Sequence, residues 1–243
     1  MKIEIGARTA KTFIKALEKL NEESLIVFDK EGIRTRILDV AHTHLLDIRI
    51  PKEGVTEYIF GGSDATELGV VIARIKDLTK TLTVKDTLSI SYKPNDPTWL
   101  HLSANGVDKT VRLLNTAHMK RVSIPQTDHK WSGKLPMKEL KAFLTALDKT
   151  AYFEVIVDKS ISFVAKTNDG ESRIDFDADE IDFHSEGGNY ETTLTTTCFL
   201  DLLAATSMKT VIEIQGGDGG IVETAWNEAD MNLKGWVAPR SGE

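Results

Sequence analysis

The chain has 243 residues, 41% of them hydrophobic and 28% charged, with a net charge of −7. That length suits one large domain or two of ordinary size, and the composition is that of a packed globule rather than a disordered or fibrous chain. A single cysteine, Cys198, excludes an internal disulfide and a cysteine-rich zinc site. The opening MKIEIGAR is charged and strand-like, unlike a signal peptide, and no apolar run approaches membrane-spanning length, so a soluble intracellular protein is expected.

The first predicted element is a helix over 8–20, RTAKTFIKALEKL. Helical spacing puts Ala10, Phe13, Ile14, Leu17 and Leu20 on one stripe and Arg8, Lys11, Lys15 and Lys19 on the opposite one. Strands follow at 25–29, 33–39 and 44–50, rich in branched residues, separated by turn signals and closed by Pro51. A second helix is expected at 67–79, with Leu68, Val71, Ile72 and Ile75 as its apolar stripe. Strands at 87–92, 99–104 and 107–114 complete the half, Asn105-Gly106 marking a hairpin. Residues 116–134 have no sustained period and read as a linker. The order then returns: a helix at 136–149, strands at 152–157, 160–165 and 172–178, a helix at 198–206, and strands at 210–215, 221–225 and 231–237.

The second half repeats the first in residues as well as in order. FIKALEK (13–19) comes back as FLTALDK (143–149), an offset of 130 residues, and at that offset Leu68 matches Cys198. Arg8, Lys11 and Lys19 correspond to Lys138, Lys141 and Lys149, with Thr145 in place of Lys15. Solubility does not require the same sign of charge at matching positions of two helices; a shared anionic partner does. The helix candidates 8–20, 67–80, 134–149 and 197–209 carry +3, +1, +2 and 0, which leaves −13 on the remainder. A chain sorted in this way can hold a polyanion on one surface and repel it from the others.

Catalytic patterns find no support. His42, His44, His101, His118, His129 and His184 show no zinc-protease spacing; His42 and His44 on one strand would point to one face without a third ligand. Asp175, Asp177, Asp179 and Glu186 match positions of a calcium loop, but Glu180 stands where the sharp turn needs glycine, and the alternation with Ile174, Phe176 and Ala178 is that of a strand. The glycine-rich run 216–220 lacks the Lys-Ser/Thr and helix of a phosphate loop and reads as a tight hairpin. No serine occupies a nucleophile elbow. An enzyme is not expected, and no cofactor or metal is implied.

FDKEGIRTRILDVAHTHLLDIRIP (28–51), the connector VSIPQ (122–126) and the tail ADMNLKGWVAPR (229–240) resemble the proliferating cell nuclear antigen (PCNA) family, the archaeal and eukaryotic DNA sliding clamps. The resemblance runs through nearly the whole chain and includes its duplication. It implies an α+β clamp fold of two similar domains, each with two helices packed on antiparallel sheet: 1–115, a connecting linker 116–134, and 135–243. It further implies a homotrimeric ring that encircles duplex DNA without reading its sequence and tethers DNA polymerase, the clamp loader and other replication and repair enzymes. Localisation would be cytoplasmic or nucleoid in an archaeon or virus and nuclear in a eukaryote.

The pore lining implied by the resemblance is Arg8, Lys11, Lys15, Lys19, Arg74, Lys76, Lys80, Lys138, Lys141, Lys149 and Lys209. The subunit boundary would join the basic 107–114 strand, with Lys109, Val111, Arg112 and Leu113, to the acidic 171–182 segment. That segment offers Glu171, Ile174, Asp175, Phe176 and Asp177, so that charge sets specificity and apolar residues add affinity. Client enzymes of the family insert a motif with two aromatic residues into a groove. Its counterpart here would use Leu38, Asp39, His42, Leu45, Val122, Ile124, Pro125, Trp236, Ala238 and Pro239. Two departures bear on client affinity: Thr43 replaces an apolar residue common in the motif, and the chain ends soon after Ala238-Pro239 where the family often has a longer acidic tail. The rival reading is a checkpoint-type or heteromeric ring subunit acting as a scaffold; complementary edges within one chain favour self-assembly.

Overall fold

The computed structural model describes residues 1–148, 151–167 and 170–240. The chain divides into two compact units. One comprises Met1–Val40, Asp47–Ser123 and Glu228–Leu233; the other comprises Ala41–Leu46, Ile124–Asn227 and the chain from Lys234 on.

In the first unit, β1 (Lys2–Gly6) runs into α1 (Ala7–Leu17), followed by β2 (Glu23–Asp29), β3 (Gly32–Leu38), β4 (His44–Pro51) and β5 (Glu57–Ile59). Then β6 (Thr66–Val71) runs into α2 (Ile72–Lys80), and β7 (Thr87–Tyr92), β8 (Trp99–Ala104) and β9 (Val107–Arg112) close the half. The second unit repeats this. β10 (Trp131–Pro136) runs into α3 (Met137–Ala146), then come β11 (Tyr152–Val157), β12 (Ser160–Thr167), β13 (Gly170–Asp177) and β14 (His184–Ser185). β15 (Tyr190–Thr195) runs into α4 (Thr196–Leu202), followed by β16 (Val211–Gly216), β17 (Val222–Glu228) and β18 (Met231–Val237). The first three residues of β4 belong to the second unit and the first three of β18 to the first.

Within the first unit the strand order is β5-β1-β7-β8-β9 in one sheet, and β3-β2-β6 stand side by side in another. Within the second it is β13-β12-β11-β15, and β14-β10-β16-β17. The pairings named are antiparallel, and β9 and β13 are sheet edges.

All four helices begin on the residue after a strand ends, with no loop between. No side chain caps α1 to α4; a carbonyl from elsewhere in the same unit takes the first amide instead. Ala7 donates to Asp86, Ile72 to Glu22, Met137 to Thr210 and Thr196 to Ala151, at 2.9, 2.9, 2.9 and 3.1 Å. One orphan amide of each helix is thereby satisfied, and its start is fixed by tertiary structure rather than by a cap residue.

This device corrects the expected second helix. Residues 67–71 are extended, because TELGVV must pair with β2 and because the Gly69 carbonyl accepts from the Leu114 amide at 2.8 Å. A Cβ on Gly69 would stand 2.5 Å from Met119 Sδ and 3.0 Å from Leu114 Cβ, so only glycine permits that approach. Likewise the end of the expected linker, from Trp131, is β10, and β14 and β15 add strands where none was expected.

The helices pack in pairs, α1 on α2 and α3 on α4. The first core is mainly aliphatic, with Ile5, Ile14, Leu17, Ile72 and Leu102 buried. The second is knit by rings: Phe153 contacts Phe143, Phe163 and Phe199, and Phe163 contacts Phe176, with centroids 5.7–6.2 Å apart. Among the described residues no helix is long and apolar enough to cross a membrane.

Candidate functional site

The basic helix faces come first. On α1 the apolar stripe is buried as expected, and Arg8, Lys11, Lys15 and the following Lys19 are exposed. Their electrostatic situations differ. The Arg8 guanidinium pairs at 3.0 Å with Glu228, whose carboxylate is buried, and Thr9 donates to Asp230 at 2.5 Å. These two contacts anchor the first turn of α1. Lys11 Nζ donates to the Leu82 carbonyl at 2.6 Å. Lys15 and Lys19 have no hydrogen bond or ion pair among the described residues.

On α2, Arg74 donates to the Arg112 carbonyl at 3.2 Å, Lys76 pairs with Glu18 at 2.6 Å, and Lys80 pairs with Asp77 at 3.2 Å. In the second unit, Lys138 and Lys209 are exposed and without a partner among the described residues. Lys141 donates to the Thr206 carbonyl at 3.4 Å. Lys149 lies outside the described residues. Lys11 and Lys141 thus do the same work in each unit: each ties the first helix to a carbonyl just beyond the second helix. This part of the repeated basic face has a structural cause. Of these candidates, Lys15, Lys19, Lys138 and Lys209 are the exposed cations without a partner among the described residues.

The second surface is the pair of sheet edges. On β9, Arg112 is exposed and Lys109 half-buried, while Val111 turns into its own core at 2% exposure; Leu113, just past the strand, is half-buried. On β13, Glu171, Asp175 and Asp177 are exposed, Ile174 is half-buried, and Phe176 packs inward on Phe163. Strand alternation sends Val111 and Phe176 to the core, which leaves Leu113 and Ile174, together with the exposed Val107, as apolar residues at these edges. The acidic edge also contains its own cation. Arg173 Nε lies 2.8 and 3.0 Å from the two oxygens of Asp175, which also accepts from Ser162 at 2.5 Å. Glu171 and Asp177 make no ion pair among the described residues.

The expected groove residues are divided between the two units. In the first unit, Leu38 and Val122 are half-buried, Asp39 is buried, and the neighbouring Val40, which no sequence signal singles out, is 81% exposed. In the second unit, Ile124 is exposed, Pro125, Ala238 and Pro239 are half-buried, and Leu45 and Trp236 are core residues at 4% and 3% exposure. The Ala238 amide donates to the Thr43 carbonyl at 2.8 Å, fastening the tail to the 41–46 segment, and Thr43 Oγ1 lies 3.3 Å from Cys198 Sγ. His42 and His44 do not share a strand face: His42 precedes β4, with φ at 61°, and is exposed, whereas His44 is buried. No cluster of three or more metal-ligating side chains occurs among the described residues.

No family model matches the chain. It is 25% identical to the DNA polymerase sliding clamp of Cenarchaeum symbiosum over 177 residues, 72% of this chain and 70% of that protein. The match to the clamp of Archaeoglobus fulgidus is 26% over 140 residues, 57% of this chain and 56% of that protein. The structures align end to end. PCNA of A. fulgidus, solved with the C-terminal region of FEN-1 bound, superposes with a TM-score of 0.89 at 20% identity, covering 100% of this chain and 99% of that one. A chain of the PCNA2–PCNA3 complex of Sulfolobus tokodaii gives 0.82 at 18%, covering 99% of both.

The fold is therefore that of the DNA clamps. In sequence the relatives that match it are archaeal DNA polymerase sliding clamps.

Proposed function

We propose that the protein is a DNA sliding clamp: a ring of three copies that encloses duplex DNA and tethers polymerase and other DNA enzymes. The observation that carries this reading is the superposition of the whole chain, both repeats included, on PCNA at a TM-score of 0.89. In such a ring, α1 to α4 of each copy face the DNA. Lys15, Lys19, Lys138 and Lys209 supply mobile, unpaired charge, and Lys149 is proposed to join them. Phosphate attraction of this kind carries no sequence information, so it holds the duplex without stopping motion along it. The ring closes where β9 of one copy meets β13 of the next, a head-to-tail contact that a threefold rotation completes. Clients dock on the surface of the second unit that carries Ile124, Ala238 and Pro239.

The test is topological. Protein assembled on a nicked circular plasmid with a clamp loader should stay with the DNA through gel filtration at moderate salt, and should leave when one restriction cut linearises the plasmid. Retention on the linear form, or on neither, would contradict an encircling ring.

A second reading, a subunit of a mixed ring, is favoured by one feature: Arg173 beside Asp175 weakens the acidic edge that a self-closing ring needs. The mass of the purified chain separates the two.

A further inference from the structure

Glu223 on β17 is 6% exposed, and a carboxylate held that far from water is stable only when donors surround it. Three of its neighbours converge on one oxygen. Oε2 accepts from the Trp236 indole Nε1 at 2.8 Å and from Thr127 Oγ1 at 3.4 Å, and it lies 3.4 Å from His129 Nε2. Thr127 Oγ1 and His129 Nε2 are themselves 2.7 Å apart, and Oε1 faces Lys234 Nζ at 3.5 Å. Trp236 and Lys234 belong to β18; Thr127 and His129 belong to the connector. Among the described residues, segment 123–129 makes no backbone-to-backbone hydrogen bond, the next being Lys130 N to the Gly216 carbonyl at 2.7 Å. The side chains on Glu223 thus supply polar contacts between this stretch and β17.

We infer that Glu223 is a positioning residue for client docking: its carboxylate latches Thr127 and His129 to the indole of Trp236 and so fixes Ile124 and Pro125 where a client peptide meets them. The inference rests on the docking reading above. A connector already held in place loses less conformational freedom on binding, so the latch raises affinity without touching the peptide.

The test uses the full chain with one spin label, at Gln126→Cys in a Cys198→Ala background, and a synthetic peptide of the FEN-1 C-terminal region measured by calorimetry. Thr127→Val and Glu223→Gln should each free the label and weaken the peptide by about tenfold, the scale of one hydrogen bond to a charged group. Thr127→Ser, which keeps the hydroxyl, should leave both readouts near the parent's, and the Trp236 indole N–H resonance should shift in Glu223→Gln alone. Unchanged label mobility and affinity in Thr127→Val would overturn the latch. A parent chain that does not bind the peptide at all would overturn the docking reading, and the label mobility alone would then decide whether the latch exists.

Discussion

At the scale of single residues, what matters on the helix faces is whether a cation is spent inside the chain. Arg8 and Lys15 look alike in the sequence, yet Arg8 neutralises a buried carboxylate and Lys15 neutralises nothing among the described residues. Arg8→Ala should therefore destabilise by about 1–2 kcal/mol, because the buried Glu228 carboxylate loses one of its charged contacts. At this chain length that is a fall in Tm of a few degrees, with DNA binding little changed. Lys15→Ala with Lys19→Ala should do the reverse: Tm holds, and the slope of log affinity for DNA against log salt becomes shallower by about 0.9 for each phosphate that is no longer neutralised. Equal effects of the two variants on DNA binding would contradict the division.

Tyr58 gives a prediction in pH. Burial is the largest cause holding its phenol at a pKa of about 12, against 10 for the free side chain; the nearby Asp29 charge adds to this, and the hydroxyl donates to the Asp29 and Gly32 carbonyls at 2.6 Å. The folded state thus favours the protonated form. The associated stability is fully present below pH 10 and is lost as pH rises from 10 through 12. Urea midpoints should fall between pH 9 and pH 11, and Tyr58→Phe should make that fall smaller. Which cations are spent, that donors gather on Glu223 and that Val40 is exposed are not legible in the sequence: Glu228 is 220 residues from Arg8, and the partners of Glu223 are brought to it only by strand pairing and by the path of the connector.

At the scale of elements, sequence and structure part most where a strand passes into a helix with no turn between. β18 spans the same residues as expected, and α1, which also follows its strand directly but carries opposed apolar and basic stripes over its length, is displaced by only a few. β6, β10 and β15 likewise pass into a helix without a loop, and the Leu68–Val71 stripe reads as part of α2 although it lies in a strand. Periodicity is ambiguous over so few residues, and the deciding contacts are the distant carbonyls of Glu22, Thr210 and Ala151. The same register logic sharpens the edge prediction. Since Asp175 is already paired with Arg173, charge reversal belongs at the free positions. Glu171→Lys with Asp177→Lys should dissociate the assembly at moderate salt, whereas Asp175→Ala alone should weaken it by less than tenfold. Sedimentation at several protein concentrations reads both.

At the scale of the whole molecule, duplication explains why so many features come in pairs. A strand feeding a helix occurs four times, and a lysine reaching past the partner helix occurs twice, in Lys11 and Lys141. The fold and the approximate basic face can be read from that repeat; the division of labour within the face cannot, because it depends on which carboxylates and carbonyls the fold brings near. Every part of the proposed function, from the DNA within to the clients outside, presupposes that copies of this chain close on one another through β9 and β13. The measurement that tests this most directly is the mass of the purified protein in solution, by light scattering at micromolar concentration and moderate salt. Three chains of 26.9 kDa predict about 81 kDa. A stable species of 26.9 kDa over the same range would contradict self-closure and assign the ring, if one forms, to different partners.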